Sequence, residues 1–284
     1  MASILVGPEE LARHLDDPDW VVFDTRHDLA RPEAGREAYR EGHIPGAYFL
    51  HLDEDLAAPR TGTNGRHPLP DPDAFARRIN RCGVRAGSRV VVYDDAGGAY
   101  AARLWWMLRW LGHERVALLD GGWTLWLREK LPVSKDVPPQ RDGAFVPRPR
   151  LGATVDAHFV ARFHADPAVR LLDARAPARY GGEQETIDPV AGHVPGAVNR
   201  FWQRNLAPDG RFKEPPELRE EWLGLLEGAS AERSVHMCGS GVTACHNLFA
   251  LELAGLGEAR LYPGSWSEWC ADAARPVATG PEPG

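Results

Sequence analysis

The chain has 284 residues, 43% of them hydrophobic, with a formal net charge of -7; that is enough length and apolar content for about two domains with sizeable cores. The acidic balance gives no reason to expect a nucleic acid or an anionic membrane as partner, and no apolar run reaches bilayer-spanning length. Four scattered cysteines (Cys82, Cys238, Cys245, Cys270) are too few for a disulfide framework. The start Met1-Ala2-Ser3-Ile4-Leu5-Val6-Gly7 lacks the charge and apolar stretch of a secretory leader, so a reducing, cytoplasmic setting is expected.

Short apolar strands alternate with helical patterns along the chain. Val21-Val22-Phe23 reads as a first buried strand, followed by a helical stretch from Pro72 to Cys82 and a strand at Val90-Val91-Val92-Tyr93. A helix over Ala99 to Leu111 and a strand at Val116-Ala117-Leu118-Leu119 complete the first half. Periodicity then breaks in a proline-rich stretch between Leu131 and Gly152, the signature of a semi-rigid linker. Beyond it come a helix near Asp156 to Phe163, a strand at Leu171-Leu172, a helix over Pro216 to Leu226, a strand from Ser234 to Met237, a helix from Ala244 to Ala254 and a strand at Arg260-Leu261-Tyr262. Strand–helix alternation predicts an α/β protein with mostly parallel sheets.

The two halves repeat each other. Phe23-Asp24-Thr25-Arg26 recurs as Leu172-Asp173-Ala174-Arg175, Gly42-His43-Ile44-Pro45-Gly46-Ala47 as Gly192-His193-Val194-Pro195-Gly196-Ala197, and Gly121-Gly122-Trp123 as Gly264-Ser265-Trp266. The same order of motifs implies two copies of one fold. We expect a first domain over 1–135, a linker over 136–152 and a second domain over 153–284.

The run Cys238-Gly239-Ser240-Gly241-Val242-Thr243-Ala244 carries the chemistry. It sits between a strand and a helix, where ligands of parallel α/β sheets bind. Small residues let the backbone curl around the sulfur with N–H groups of residues 239–243 turned inward, and a helix N-terminus behind them stabilises negative charge. Cys238 is therefore expected to act as a thiolate nucleophile. Cysteine-dependent phosphatases use a similar cradle closed by an arginine at the seventh position, which grips phosphate in bidentate fashion. That position is Ala244 here, so phosphatase chemistry is excluded. An ungapped comparison of the halves sets Asp95 against Cys238 and Ala101 against Ala244, and a gap would move the match to Asp94. A carboxylate cannot replace the thiolate, so the first domain is expected to be inert.

These residues resemble the rhodanese superfamily in its tandem-domain sulfurtransferase form, across almost the whole sequence. The fold implied is two tandem rhodanese-like domains, each a mostly parallel sheet flanked by helices. The loop resembles that of 3-mercaptopyruvate-type members; thiosulfate-type members more often carry Arg-Lys where this chain has Gly239-Ser240. The resemblance implies that Cys238 and Ser240 are catalytic, with Ser240 bonding the reacting sulfur or passing its proton. Gly239, Gly241, Val242 and Thr243 would line the donor site, and Arg179 would bind its carboxylate and carbonyl. Mercaptopyruvate-type members usually place a second arginine nine residues later, in a Glu-Pro-Arg segment. This chain has Glu185-Thr186-Ile187-Asp188-Pro189 there, leaving Arg200 and Arg204 as candidate replacements. Asp53 and His67, in Arg66-His67-Pro68-Leu69-Pro70, resemble a pair brought near the active cleft as a relay.

The reaction implied is double displacement: sulfur passes from 3-mercaptopyruvate or thiosulfate to Cys238 as a persulfide, then to a thiol such as a thioredoxin, a small thiol or cyanide. It needs no metal or organic cofactor, and Cys245-His246 lacks a second ligand pair at zinc spacing. Alternatives are a thiosulfate:cyanide enzyme with an atypical loop, a persulfide carrier serving a partner protein, and a redox sensor. Other prominent residues read as structural: His43 and His193 fix Pro-Gly turns, Trp105, Trp106 and Trp110 pack a helix, and Arg103 and Arg109 are solvated or paired. Cys245 lies too far along its helix for a bridge to Cys238.

Overall fold

The computed structural model describes residues 3–284, which divide into two compact units. The first comprises residues up to 58, 69–150 and 208–211; the second comprises 59–68, 151–207 and 212–284.

In the first unit five strands, β1 (Leu5–Val6), β2 (Trp20–Asp24), β3 (Tyr48–Phe49), β4 (Arg89–Tyr93) and β5 (Val116–Leu119), form a parallel sheet in the order β1-β5-β4-β2-β3. Its helices are α1 (Pro8–Ala12), α2 (Ala34–Glu41), α3 (Leu52–Asp55), α4 (Pro72–Asn80), α5 (Ala101–Trp110) and α6 (Gly122–Arg128). Strand β4 is buried along its whole length, as expected of the centre of a sheet covered on both faces. Helix α4 starts where its sequence says it should: Pro72 occupies the first turn, and the Asp71 side chain accepts from the Ala74 N–H at 2.8 Å. Trp105 and Trp106 are buried, as are Arg103, which donates to the Leu56 carbonyl, and Arg109, paired with Glu114 at 2.5 Å. These two arginines are thus buried, not solvated.

The second unit repeats this plan with four parallel strands, β6 (Arg170–Asp173), β7 (Val198–Asn199), β8 (Ser234–Met237) and β9 (Arg260–Leu261), in the order β7-β6-β8-β9. A single bridge between Thr154 and Leu261 stands where β1 lies in the first. Its helices are α7 (Ala157–Phe163), α8 (Pro177–Tyr180), α9 (Pro215–Leu226), α10 (Ala244–Leu253) and α11 (Ser265–Trp269).

The repeated motifs do the same work twice. Arg26 forks onto Asp24 at 2.6 Å, donates to the Gly42 carbonyl at 2.7 Å and lies 4.6 Å over the Trp123 ring. Arg175 pairs with Asp173 at 2.7 Å, donates to Gly192 at 2.8 Å and lies 4.8 Å over Trp266. The Asp-x-Arg strand end thus ties the Gly-His-x-Pro-Gly-Ala turn to the tryptophan of the last helix. In that turn His43 bonds the Tyr39 carbonyl and His193 that of Tyr180, each ring stacked on that tyrosine. Both histidines are structural, as their place before a Pro-Gly turn suggests.

The register settles which residue of the first half stands opposite the nucleophile. Asp24 pairs with Tyr93, and its counterpart Asp173 pairs with Met237, so Cys238 corresponds to Asp94 and not to Asp95 as the ungapped comparison has it. The Trp123 N–H donates to the Asp94 carbonyl as Trp266 does to that of Cys238. Both Asp94 oxygens are filled from within its own loop, by the N–H groups of Ala96, Gly98, Tyr100 and Ala101 at 2.8–2.9 Å. The segment read as a linker is irregular, but through Arg150 it is strapped to the first unit: Arg141, Gly143 and Arg148 donate backbone N–H groups to Arg81, Asn80 and Leu111.

Candidate active site

Strand β8, with all four residues buried, ends by delivering Cys238 to a turn that only its sequence permits. Gly241 has φ +75°, and a Cβ there would lie 2.4 Å from the Pro263 carbonyl oxygen. The left-handed backbone and the close approach both demand glycine. The turn directs two N–H groups at the Cys238 Sγ, from Ser240 at 3.4 Å and Gly241 at 3.1 Å. The expected ring of donors from residue 239 to 243 is thus a pair. The Val242 and Thr243 carbonyls accept from Cys245 and His246 and open α10. Cys245 extends its thiol to the Gly241 carbonyl at 3.3 Å, bracing the turn from the helix. Cys238 itself is 2% exposed, so the sulfur sits in low-dielectric surroundings where such dipoles act strongly.

A second support comes from the start of α11. The Cys238 N–H donates to Ser265 Oγ at 3.1 Å, and that hydroxyl donates to the Tyr262 carbonyl at 2.9 Å. Ser265 has φ +54°, a left-handed value rare outside glycine, whereas its first-unit counterpart is Gly122 at φ +52°. A serine held in this conformation stores strain of order 1–3 kcal/mol and supplies the hydroxyl that pins the nucleophile's backbone. Sequence reasoning did not single it out. The available signal was the serine replacing the second glycine of the repeated Gly-Gly-Trp.

Ser240, buried, hydrogen-bonds through Oγ to Nδ1 of buried His67 at 2.7 Å. His67 comes from the 59–68 segment, which belongs to the second unit. The hydroxyl and imidazole are therefore paired, on a residue two positions from the nucleophile. Asp53, expected with them, is described within the first unit. It groups there with His27 and His51, their potential ligand atoms all within 4.8 Å of one another. Both His51 nitrogens already have protein partners, the Asp53 N–H and the Pro32 carbonyl, which argues against a metal there.

Arg179, on the short helix α8, commits Nε and Nη2 to both oxygens of Glu185 at 2.9–3.3 Å, and Nη2 also reaches Asp188 at 3.0 Å. Burial pushes the Glu185 carboxyl up, but hydrogen bonds from the Asp188 and Ile187 N–H groups and from Arg179 outweigh it and hold it below the usual range. The other oxygen of Asp188 takes Nη1 of Arg66, a residue that sequence reasoning quoted only as the neighbour of His67. A Cβ at Gly239 would lie 2.9 Å from Arg66 Nη2 and 3.4 Å from Arg179 Nη1, so both guanidiniums flank the residue next to the nucleophile. Neither candidate replacement for the second arginine stands out as one: the first is engaged with an acid, the second lies exposed. Arg200 pairs with Glu221 at 2.6 Å and lies over the Trp222 ring, and Arg204 is exposed on a groove with Tyr180 and Glu227.

No helix among the described residues is long and apolar enough to cross a membrane. The rhodanese-like domain family matches residues 7–129 and again 156–272. The chain is similar to a probable 3-mercaptopyruvate sulfurtransferase of Pseudomonas aeruginosa, 49% identical over 278 residues that cover 97% of this chain and 98% of the relative. It is also similar to a putative thiosulfate sulfurtransferase, SseB, of Mycobacterium tuberculosis, 38% identical with 98% of each chain covered. The crystal structure of SseA from Escherichia coli, described as showing the rhodanese fold and mechanism of 3-mercaptopyruvate sulfotransferases, superposes with a TM-score of 0.81 at 32% identity, covering 93% of this chain and 99% of that one. With two matched domains in one chain and relatives aligned nearly end to end, the protein belongs to the rhodanese family as a tandem-domain sulfurtransferase.

Proposed function

We propose that the protein transfers sulfur from 3-mercaptopyruvate to a thiol acceptor, or to cyanide, through a persulfide on Cys238. The observation that carries this reading is the Cys238 sulfur under two backbone N–H groups, one of them from Ser240, whose hydroxyl bonds His67. The Cys238 thiolate attacks the donor sulfur. A sulfur–sulfur bond forms, the carbon–sulfur bond breaks, and its electron pair goes to carbon as the enolate of pyruvate. The proton carried by the donor thiol ends on that carbon, passed by the Ser240 hydroxyl, which His67 Nδ1 supports. A thiolate acceptor then attacks the outer sulfur of the persulfide and leaves with it, restoring the Cys238 thiolate. Splitting one transfer into two displacements is the advantage of covalent catalysis. Thioredoxin, a small thiol or cyanide would each serve as acceptor. The first domain, with a carboxylate in the nucleophile's place, takes no part in the chemistry.

The neutral Gly239-Ser240 pair and the Nη1 edge of Arg179 turned toward Gly239 support a keto-carboxylate donor over a dianion; thiosulfate is the second reading, prompted by the Mycobacterium tuberculosis relative. The test is intact mass spectrometry of the protein incubated with each donor, followed by multiple turnovers with a small thiol. One added sulfur atom and free pyruvate should appear with 3-mercaptopyruvate, and Cys238→Ser should abolish both. Sulfur uptake that persists in Cys238→Ser overturns the mechanism. Faster loading from thiosulfate overturns the donor, and loading without turnover on small thiols makes the protein a carrier.

A further inference from the structure

We propose that the first unit carries a ligand site of its own, for a small phosphate monoester with a flat apolar body. The site is a groove of about 280 Å³ bounded by α2, β3, the end of α4 and the irregular segment 137–140, at the lower end of what a small ligand fills. Sulfur transfer at Cys238 makes no use of it. Four guanidiniums line it, those of Arg36, Arg40, Arg78 and Arg81, with no carboxylate among the lining residues. On a chain of net charge -7, cations gathered in this way create a local field that favours anions.

The four arginines divide into two kinds. Arg36 and Arg78 are already compensated. Arg36 donates to Glu33 at 3.0 Å and to Glu54 at 2.6 Å. Arg78 donates to Asp55 at 2.6 Å, to the Phe49 carbonyl at 3.0 Å and to Cys82 Sγ at 3.4 Å. Arg40 and Arg81 are exposed, and no carboxylate among the described residues pairs with either. Two uncompensated guanidiniums match the two charges of a phosphate monoester, whose oxygens accept the arginine fork in bidentate fashion. The tyrosines of the groove supply rings and not hydroxyl donors, because Tyr39 donates to the Ala47 carbonyl at 2.7 Å and Tyr48 to that of Pro139 at 2.8 Å. With Phe49, over whose ring Arg36 lies at 5.6 Å, they offer aromatic surface to an apolar body.

The second unit has a groove at the corresponding place. Each is lined by the tyrosine stacked on the histidine of the Gly-His turn, and by the segment whose carbonyl meets that histidine's Nε2. In the second unit the residue after the tyrosine is Gly181 instead of Arg40, and Val198-Asn199 replaces Tyr48-Phe49. Glu183, Glu227 and Glu282 line that groove beside its arginines. The same backbone plan therefore forms the groove without an all-cationic rim or the β3 rings. Folding does not demand the lining found in the first unit, whereas a ligand of this chemistry does.

The test uses the full-length protein with phenyl phosphate as probe, set beside inorganic phosphate, which lacks the ring, and phenol, which lacks the charge. Isothermal titration calorimetry measures binding to the wild type, to Arg40→Ala, to Arg81→Ala, to the double variant and to Arg204→Ala, a change in the second groove. Phenyl phosphate should bind at one site per chain, about 10-fold tighter than either fragment. Arg40→Ala and Arg81→Ala should each weaken it about 10-fold, as expected for one lost charge-assisted contact. The double variant should lose about 100-fold, and Arg204→Ala nothing. Both altered arginines are exposed, and unchanged sulfur loading of Cys238 verifies that the variants are folded. Undiminished binding in the double variant overturns the proposal, since the anion is then held elsewhere, as at Arg179. No saturable binding of phenyl phosphate overturns it as well, and equal affinity for inorganic phosphate overturns the part assigned to the rings.

Discussion

Cys238, Ser240 and His67 form a chain in which each member depends on the next. The Ser240 backbone N–H helps to hold the sulfur, its hydroxyl bonds His67, and all three side chains are buried. In the proposed reaction the donor thiol gives up a proton, and the buried hydroxyl–imidazole pair would carry it. General acid–base assistance of this kind contributes about 10²- to 10⁴-fold. We expect Ser240→Ala and His67→Gln each to slow persulfide formation from 3-mercaptopyruvate by about 100-fold at saturating donor. Because the two residues act as one relay, the double variant should be hardly slower than either single one. Rapid-quench mass spectrometry of Cys238 loading measures all three. Strictly multiplicative losses would show that the 2.7 Å contact has no part in the proton's path.

The strand–loop–helix element is used twice, once to present a sulfur and once to bury a carboxylate. After β8 the loop holds Cys238 under two N–H groups, whereas after β4 the Asp94 carboxylate accepts four N–H groups of its own loop. Burial lifts the Asp94 carboxyl above the usual range even against those four donors. Removing it would strand them in the interior, where each unmet polar group costs about 1–3 kcal/mol. Asp94→Ala is therefore predicted to destabilise the first unit by on the order of 4 kcal/mol, seen as an early transition in thermal or urea unfolding. Sulfur loading of Cys238 in the still-folded protein should be retained. Loss of loading before any unfolding would give the first domain a part in the chemistry. What could be read from the sequence follows the same division. The Cys238 turn, the Gly-His-x-Pro-Gly-Ala turns and the strand ends are local patterns, and they are where periodicity and glycine placement lead one to look. The Asp94 register was off by one because ungapped comparison ignores loop length. Arg66 escaped notice because its partner Asp188 is 122 residues away in sequence, and His67, 173 residues from Ser240, was reachable only through family resemblance.

Each unit also encloses a neutral histidine, and together these make the molecule sensitive to acid. Burial lowers His113 to about 4 in the first unit and His236 to about 3 in the second. The His236 Nε2 lies 3.1 Å from Ser234 Oγ, whose own proton goes to the Ala231 carbonyl, so the ring holds its proton on Nε2 and the hydroxyl accepts it. The sign follows from linkage. Below the ordinary value near 6.5 the unfolded chain takes up a proton at each histidine, while the folded chain refuses it until pH about 4 and about 3. Stability is complete above 6.5 and falls as pH drops through that window, by up to about 1.4 kcal/mol per pH unit for each histidine. The carboxylates held below their usual range, such as Glu185, begin to add to the loss only below about 4.5, and carboxyls raised by burial, such as Asp94, act in the opposite sense, so the contribution of His236 between pH 7 and 4.5 is read as a difference from the wild type. In urea titrations across that interval, His236→Leu should reduce the fall in unfolding free energy by on the order of 2 kcal/mol in the transition of the second unit, whatever its effect at pH 7. A pH slope identical to that of the wild type would mean that His236 gains its proton in the folded protein as readily as in the unfolded chain, and that acid acts on this fold through its carboxylates alone.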